Sequence, residues 1–126
     1  MKTIITTNKA PQPIGPYSQA VLVGTTLYTS GQIALHPDTG ELVMDSIEAE
    51  TTQVMKNLNA VLEAANMTFE NVIKASIFIS DMNSFAAINA VYGQYFEEAT
   101  APARETVEVA NLPKFVNVEI SVIAVK

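Results

Sequence analysis

The apolar residues of this chain change their spacing partway along it, and this change limits the folds that the chain can adopt. Between Ile47 and Ala65 they recur about every 3.6 residues, the period of a helix with one buried face. From Val72 to Ser80 they alternate with polar residues, the period of a strand. The sequence therefore predicts a helix followed closely by a strand.

The rest of the chain predicts further elements of both kinds. Asp45 and Glu48 predict a capping box for the first helix, and Asn66 is suited to the left-handed conformation at its end. Runs of β-branched residues predict five more strands, over Lys2–Thr7, Ser18–Val23, Thr26–Ile33, Arg104–Val109 and Val116–Val125. Apolar positions at helical spacing predict a second helix with the buried face Phe85, Ile88, Val91, Tyr92, Tyr95 and Phe96. The predicted turns are Gly24-Thr25, His36–Gly40 and Asn111–Lys114.

Length and composition exclude several classes of protein. A chain of 126 residues suits one domain, residues 1–126, and its 48% apolar content and mean hydropathy of +0.21 predict burial between identical subunits. A net charge of −6 without any basic cluster disfavours nucleic-acid binding. Cysteine is absent and no apolar run reaches the length of a signal peptide or membrane span. We therefore expect a cytoplasmic protein that binds neither nucleic acid nor membrane.

The chain lacks the residues that several catalytic mechanisms need. His36 is the only histidine and lies in a predicted turn, so one chain cannot build a Ser-His-Asp relay or a multi-histidine metal site. The five glycines form no phosphate-binding loop. Lys74 alternates with apolar residues on a strand, which favours a polar sheet face over a Schiff-base role. We therefore expect a site with no metal and no cofactor.

Two charged residues remain as candidates for a binding site. Arg104 is the only arginine, and its planar guanidinium can hold a carboxylate through two parallel hydrogen bonds. On residue type alone, the more usual case is a solvated strand residue or a structural partner of Glu108 or Glu119. Glu119 shares the polar side of an otherwise apolar strand with Asn117 and Ser121, so it is either exposed to solvent or a site carboxylate.

Four separated blocks of sequence bear on this choice. They are Ile14–Gln19, Thr29–Ile33, Asp81–Phe85 with Asn89, and Pro102–Arg104 with Val116–Ile120. In their order and spacing the chain resembles the RidA family, also called YjgF or reactive intermediate deaminase, over essentially its whole length.

The resemblance implies an α+β fold of the chorismate-mutase-like (YjgF/L-PSP) type, in which a mixed sheet is backed by two helices. It also implies a barrel-cored homotrimer with sites between subunits. Similar proteins hydrolyse the enamine and imine products of pyridoxal-phosphate-dependent dehydratases (2-aminoacrylate, 2-iminobutanoate and 2-iminopropanoate) to 2-oxo acids and ammonium. By this resemblance Arg104 would bind the substrate carboxylate and Glu119 would orient or activate water. The other residues of the cleft would be Tyr17, Ser30, Gly31, Asn89 and Thr106.

Three positions depart from the commonest family pattern. Thr106 stands where cysteine is frequent, Glu105 where a small residue is frequent, and Asn111 where arginine is common. We expect Glu105 to point to the opposite strand face from Arg104 and Thr106. The departures leave open a second hypothesis, a non-catalytic protein that binds small carboxylates in the same cleft. Ribonuclease action, attached to some relatives, is disfavoured by the net charge.

Overall fold

The computed structural model describes all 126 residues as an α+β protein with one mixed sheet. The two α-helices are α1 (Ile47–Ala64) and α2 (Phe85–Gly93). The six strands are β1 (Lys2–Ile5), β2 (Ala20–Val23), β3 (Thr26–Thr29), β4 (Val72–Ile79), β5 (Ala103–Glu108) and β6 (Val118–Val125). Short 3₁₀ turns lie at Phe69–Asn71, Met82–Ser84, Glu98–Thr100 and Pro113–Phe115. No helix is both long and apolar enough to cross a membrane.

The strands lie in the order β1-β2-β3-β6-β4-β5. All neighbours are antiparallel except β4 and β5, which are parallel and joined through α2. β5 is therefore an edge strand, and its Arg104 side chain donates to Asn89 of α2. This connection brings the only arginine close to that helix.

The two helices cover one face of the sheet, and the hydrophobic core lies between the helices and that face. In β4 the side chains of Ala75, Ile77 and Ile79 are buried against the helices. The alternate residues, Ser76 and Phe78, are half-buried on the other face, which no element of this chain covers. We call the two sides the helix face and the open face.

Several predicted boundaries and one predicted register differ from the structure. The alternation predicted from Val72 to Ser80 fails at its start, because a register shift between Val72 and Lys74 places Val72 in the core and exposes Ile73. A bulge inserts one residue, which reverses the alternation on either side of it. β3 ends at Thr29 rather than Ile33 because the chain leaves the ladder and rejoins it only at the bridge between Gln32 and Ile120.

The predicted cap of α1 is wrong by one residue. Ser46, not Asp45, is the N-cap, and its hydroxyl accepts the backbone N–H of Ala49 at 3.0 Å. Ile47 begins the helix because it packs against the core, and the residue directly before it then takes the cap position. The predicted left-handed Asn66 is confirmed, with φ of 58°.

The second helix is shorter than predicted. It ends at Gly93, so Tyr95 and Phe96 lie beyond it and pack against Phe69, with ring centroids 5.1 and 5.5 Å from that ring. Tyr95 and Phe96 pack against the core as predicted, but they do so from the segment that follows the helix. The predicted turn at 111–114 becomes a 3₁₀ turn with Lys114 and Phe115 in the left-handed region.

Candidate functional site

The open face carries the first part of the predicted site, around Glu119. Glu119 pairs with Phe78 across β6 and β4, so its side chain is on the open face. A cavity of about 410 Å³ lies beside it, and Tyr17, Ser30 and Gly31 line the same cavity. The structure therefore brings four of the predicted site residues together. We call this space the Glu119 cavity.

Gly31 and Glu119 are in close contact. A Cβ atom at position 31 would lie 2.7 Å from Cδ and 3.0 Å from Oε1 of Glu119. The backbone cannot yield easily, because Gln32 and Ile120 exchange two hydrogen bonds of 2.8 and 3.1 Å beside this contact. Only glycine leaves room for the carboxyl group at this position.

Burial raises the pKa of Glu119 above its ordinary value of 4.5, and no charged or hydrogen-bonding partner contributes to the shift. The carboxylate therefore has unused acceptor capacity that faces the cavity. A carboxyl group whose pKa moves toward neutrality is suited to proton transfer.

Tyr17 and Ser30 are held by the loop and strand that precede the cavity. Ser30 donates its hydroxyl to the carbonyl of Ser18 at 2.5 Å and its N–H to the carbonyl of Gln19 at 2.9 Å. The Tyr17 hydroxyl accepts the N–H of Ile14 at 3.4 Å, and the ring is 51% exposed. Both side chains can therefore contact a molecule in the cavity.

Gln19 is a supporting residue whose role the sequence analysis missed. Its side chain is buried, donates to the carbonyls of Thr7, Ala10 and Pro11, and accepts the N–H of Thr7 at 2.7 Å. One amide thus fixes the proline-rich loop that precedes Tyr17. The only sequence signal for this role is a glutamine that lies between a proline-rich loop and a strand, where its side chain can bind loop carbonyls.

Arg104 lies on the other side of the sheet. It pairs with Ala75, and Thr106 pairs with Ile77, so both point to the helix face. The guanidinium Nη1 donates to Oδ1 of Asn89 at 2.6 Å, next to a cavity of about 550 Å³ that both residues line. We call this space the Arg104 cavity.

Arg104 has no acidic partner. The only salt bridge in the chain joins Lys74 to Glu105 at 2.8 Å on the open face, where the Ser76 hydroxyl also donates to Glu105. Glu108 instead accepts the N–H of Met82 at 2.7 Å. The structural pairs that the sequence left open for Arg104 are therefore absent, and the prediction that Glu105 points away from Arg104 is confirmed.

Two buried hydroxyls near Arg104 have no hydrogen-bond partner. They belong to Tyr92, on α2, and to Thr106. Burial raises the pKa of Tyr92, and the positive charge of Arg104 opposes this rise. The phenol is therefore neutral and does not form an ion pair with the guanidinium.

One chain does not assemble the whole predicted cleft. Tyr17, Ser30, Gly31 and Glu119 lie around one cavity, whereas Asn89 and Arg104 lie around the other, on the opposite face of the sheet. Thr106 is next to Arg104 in the strand but turns its hydroxyl into the protein. Within a single chain, the proposed anion-binding residue and the proposed base cannot contact the same small molecule.

A family model and several related proteins match this chain over nearly its whole length. Residues 7–126 match the family model of endoribonuclease L-PSP. A RutC family protein of Synechocystis is 54% identical, over 97% of this chain and 95% of that protein. A 2-iminobutanoate/2-iminopropanoate deaminase of Capra hircus is 48% identical, over 100% of this chain and 91% of that protein.

Solved structures agree with the sequence relatives. The Rid family protein YyfA of Yersinia pestis superposes with a TM-score of 0.96 at 48% identity, over all of both chains. TdcF of E. coli, solved with bound serine, superposes with a TM-score of 0.92 at 44% identity, over 98% of each chain. The α+β fold expected from the sequence is confirmed.

Proposed function

Since the chain belongs to the RidA/YjgF family, whose family model is described as endoribonuclease L-PSP, we propose that it is an imine deaminase. The substrates are the reactive enamines and imines released by pyridoxal-phosphate-dependent dehydratases: 2-aminoacrylate, 2-iminobutanoate and 2-iminopropanoate. Each imine takes up one water and gives a 2-oxo acid and ammonia, which is protonated to ammonium. We place this reaction in the cytoplasm, in keeping with the absence of cysteine.

The observation that carries the proposal is that the guanidinium of Arg104 has no carboxylate partner. A guanidinium has five N–H donors, and one of them is used, by Asn89. No carboxylate of the chain competes for the rest. The deaminases of Capra hircus and Mus musculus, at 48% and 45% identity over the full length of this chain, supply the reaction that such an anion site would serve.

Glu119 acts on water in the proposed mechanism. The substrate carboxylate binds Arg104, which places the C=N carbon near the water held by Glu119. Glu119 takes a proton as the water oxygen bonds to that carbon, and the proton is then delivered to nitrogen. As the C–N bond of the resulting carbinolamine breaks, its hydroxyl proton passes through Glu119 to the leaving nitrogen, so ammonia leaves and the carbonyl forms. General-base assistance of this kind contributes about 10²- to 10⁴-fold in rate, which is enough for an imine that already hydrolyses in water.

The active site of this proposal lies between two copies of the chain. Arg104 and Glu119 are on opposite sheet faces, so an Arg104 cavity from one copy must meet a Glu119 cavity from another. The open face is free to form such contacts, and Tyr28 and Val107, 49% and 39% exposed, are large apolar residues without a cover in the chain. We propose a homotrimer around a barrel of three sheets, with Tyr17, Ser30, Gly31, Asn89 and Thr106 lining each cleft.

The test is 2-oxobutanoate formation from threonine in a dehydratase-coupled assay, with semicarbazide competing for the imine. Wild type should accelerate product formation, and Arg104→Ala should lose about 10²-fold or more because the carboxylate is no longer held. Lys56→Ala, which removes an exposed helix cation, is the matched control and should behave as wild type. Full activity of a folded Arg104→Ala would contradict the carboxylate-binding role.

A second function, binding of small carboxylates without turnover, is supported by the serine seen in E. coli TdcF. It predicts that 2-oxobutanoate binds while the coupled assay shows no acceleration. RNA cleavage, suggested by the family's description, is disfavoured by the net charge of −6 without a basic cluster.

A further inference from the structure

Three residues on one face of α2 contact the guanidinium of Arg104. Phe85, Asn89 and Tyr92 are spaced by four and then three residues, so a helix places them in one stripe. The Cζ atom of Arg104 lies 5.7 Å from the ring centroid of Phe85 and 5.1 Å from that of Tyr92. Asn89, between them in the sequence, accepts the Nη1 hydrogen at 2.6 Å.

These contacts suit different parts of the guanidinium. Aromatic rings attract a cation within about 6 Å of their centroids, mainly through the ring face. The amide oxygen of Asn89 takes one N–H at the edge of the guanidinium. Arg104 is exposed and has no carboxylate partner, so the stripe on α2 is what limits its rotamers.

We propose that Phe85 and Tyr92 are positioning residues, whose rings bracket the guanidinium of Arg104 and present its unused N–H donors to an incoming carboxylate. This inference rests on the proposed function, because it assigns the bracket to the same anion site. It adds two residues that do not touch the reacting atoms, and it predicts which variants retain affinity.

In this proposal the ring of Tyr92 positions the guanidinium, and the Tyr92 hydroxyl has no part in it. The side chain is 5% exposed, and the hydroxyl oxygen is shut off from solvent without a partner. A small molecule in the Arg104 cavity therefore cannot reach that oxygen. Phenylalanine at position 92 should hold the guanidinium as well as tyrosine does, whereas an aliphatic residue should not.

A pair of substitutions at each ring tests the bracket. Tyr92→Phe and Phe85→Tyr keep an aromatic ring, whereas Tyr92→Leu and Phe85→Leu replace it with an aliphatic group that still fills space. Binding of 2-oxobutanoate is measured by titration calorimetry, and KM and kcat by the coupled assay. The leucine variants should weaken binding and raise KM about 3- to 10-fold with kcat nearly unchanged, and the aromatic variants should match wild type.

A spectroscopic readout separates positioning from a loss of fold. Arg104 is the only arginine, so the Nε–Hε region of a ¹H–¹⁵N spectrum contains one arginine signal, which needs no assignment. Ring currents should displace this signal in wild type and in the aromatic variants. In the leucine variants it should move toward the position of free arginine, while the backbone spectrum remains folded.

The outcomes distinguish this inference from the proposed function. Leucine variants with wild-type affinity and an unmoved arginine signal would overturn the bracket, even if wild type hydrolyses imines. A wild type that fails to hydrolyse imines, together with a displaced arginine signal that the leucine variants lose, would refute the deaminase and leave the bracket supported. Loss of affinity in Tyr92→Phe as severe as in Tyr92→Leu would overturn the assignment to the ring.

Discussion

At the scale of single residues, the molecule leaves two complementary charges without partners. Arg104 has several unused donors, and Glu119 has a carboxylate whose pKa burial raises. Glu119 is half-buried, so its charged form loses hydration without gaining a partner, whereas the exposed Arg104 keeps donors that are open to a ligand. Their lack of partners is therefore the main physical argument for a binding site.

Gly31→Ala should impair catalysis by displacing the Glu119 carboxyl group. The added Cβ would lie 2.7 Å from Glu119 Cδ, closer than packed carbon atoms approach. We expect kcat/KM to fall about 10-fold or more, since small misplacements of a catalytic group are costly. In a Glu119→Ala background the same glycine substitution should cost no stability in thermal unfolding. Equal destabilisation in both backgrounds would contradict this account.

The raised pKa of Glu119 predicts opposite pH effects on stability and on activity. Between its ordinary pKa of 4.5 and its folded pKa, the folded chain binds more protons than the unfolded chain, so stability falls as pH rises through this interval. Glu119→Gln lacks this fall, so the stability of the variant relative to wild type should rise as the pH rises above 4.5.

Activity should rise with pH through the same interval, because the base must be ionised. The acid limb of kcat/KM for wild type should therefore have a midpoint above 4.5. Glu63→Gln, which removes an exposed helix carboxylate, is the control and should keep the wild-type stability profile. A Glu119→Gln stability difference that does not change with pH would contradict the assignment.

At the scale of elements, a buried carboxylate joins α1 to the start of β6. Glu50, 0% exposed, accepts the N–H of Asn117 at 2.8 Å, the side-chain amide of Asn117 at 2.8 Å and the N–H of Val118 at 3.3 Å. These two residues directly precede Glu119. One glutamate on a helix therefore sets where the strand that carries the proposed base begins.

Glu50→Gln should destabilise the protein because it places an amide N–H₂ against a donor. A buried donor left without an acceptor costs about 1–3 kcal/mol. Adding Asn117→Asp should recover part of the loss, because an aspartate accepts from the new amide. Glu48→Gln, an exposed change two residues away, is the control in urea unfolding. Wild-type stability of Glu50→Gln would show that the three hydrogen bonds do not matter.

The periodic helix and strand could be predicted from the sequence, but the bulges and breaks within the strands could not. The 3.6-residue and two-residue periods gave α1 and β4, because each has one buried face. The bulge after Val72 and the break of β3 at Gly31 depend on neighbouring strands, so no local pattern reveals them. Glu50 was missed for a similar reason, since its partners are far away in the sequence.

The residues of the candidate site stay a prediction, and the sequence did not indicate that they divide between two faces of the sheet. Family blocks indicated Arg104 and Glu119 together, whereas strand register decides the face of each residue. The register became visible only with the sheet order. The hydrogen bonds of Gln19 and the proposed positioning roles of Phe85 and Tyr92 also depend on three-dimensional contacts.

At the scale of the whole molecule, the central claim is that the two cavities become one site between copies of the chain. An Arg104→Ala chain keeps an intact Glu119 cavity, and a Glu119→Ala chain keeps an intact Arg104 cavity. Each variant alone should be inactive. Mixed assemblies can nevertheless place one intact half of each kind in the same cleft, because the halves come from different chains.

The most direct measurement is therefore the activity of assemblies formed by co-expressing the two variants, with different affinity tags to isolate and confirm mixed assemblies. In a mixed homotrimer of either composition, one of the three clefts combines an intact Arg104 with an intact Glu119, so isolated mixed assemblies should recover about one third of wild-type activity. Arg104→Ala mixed with differently tagged Arg104→Ala is the control and should remain inactive. Mixed assemblies as inactive as their parents would contradict a site shared between copies.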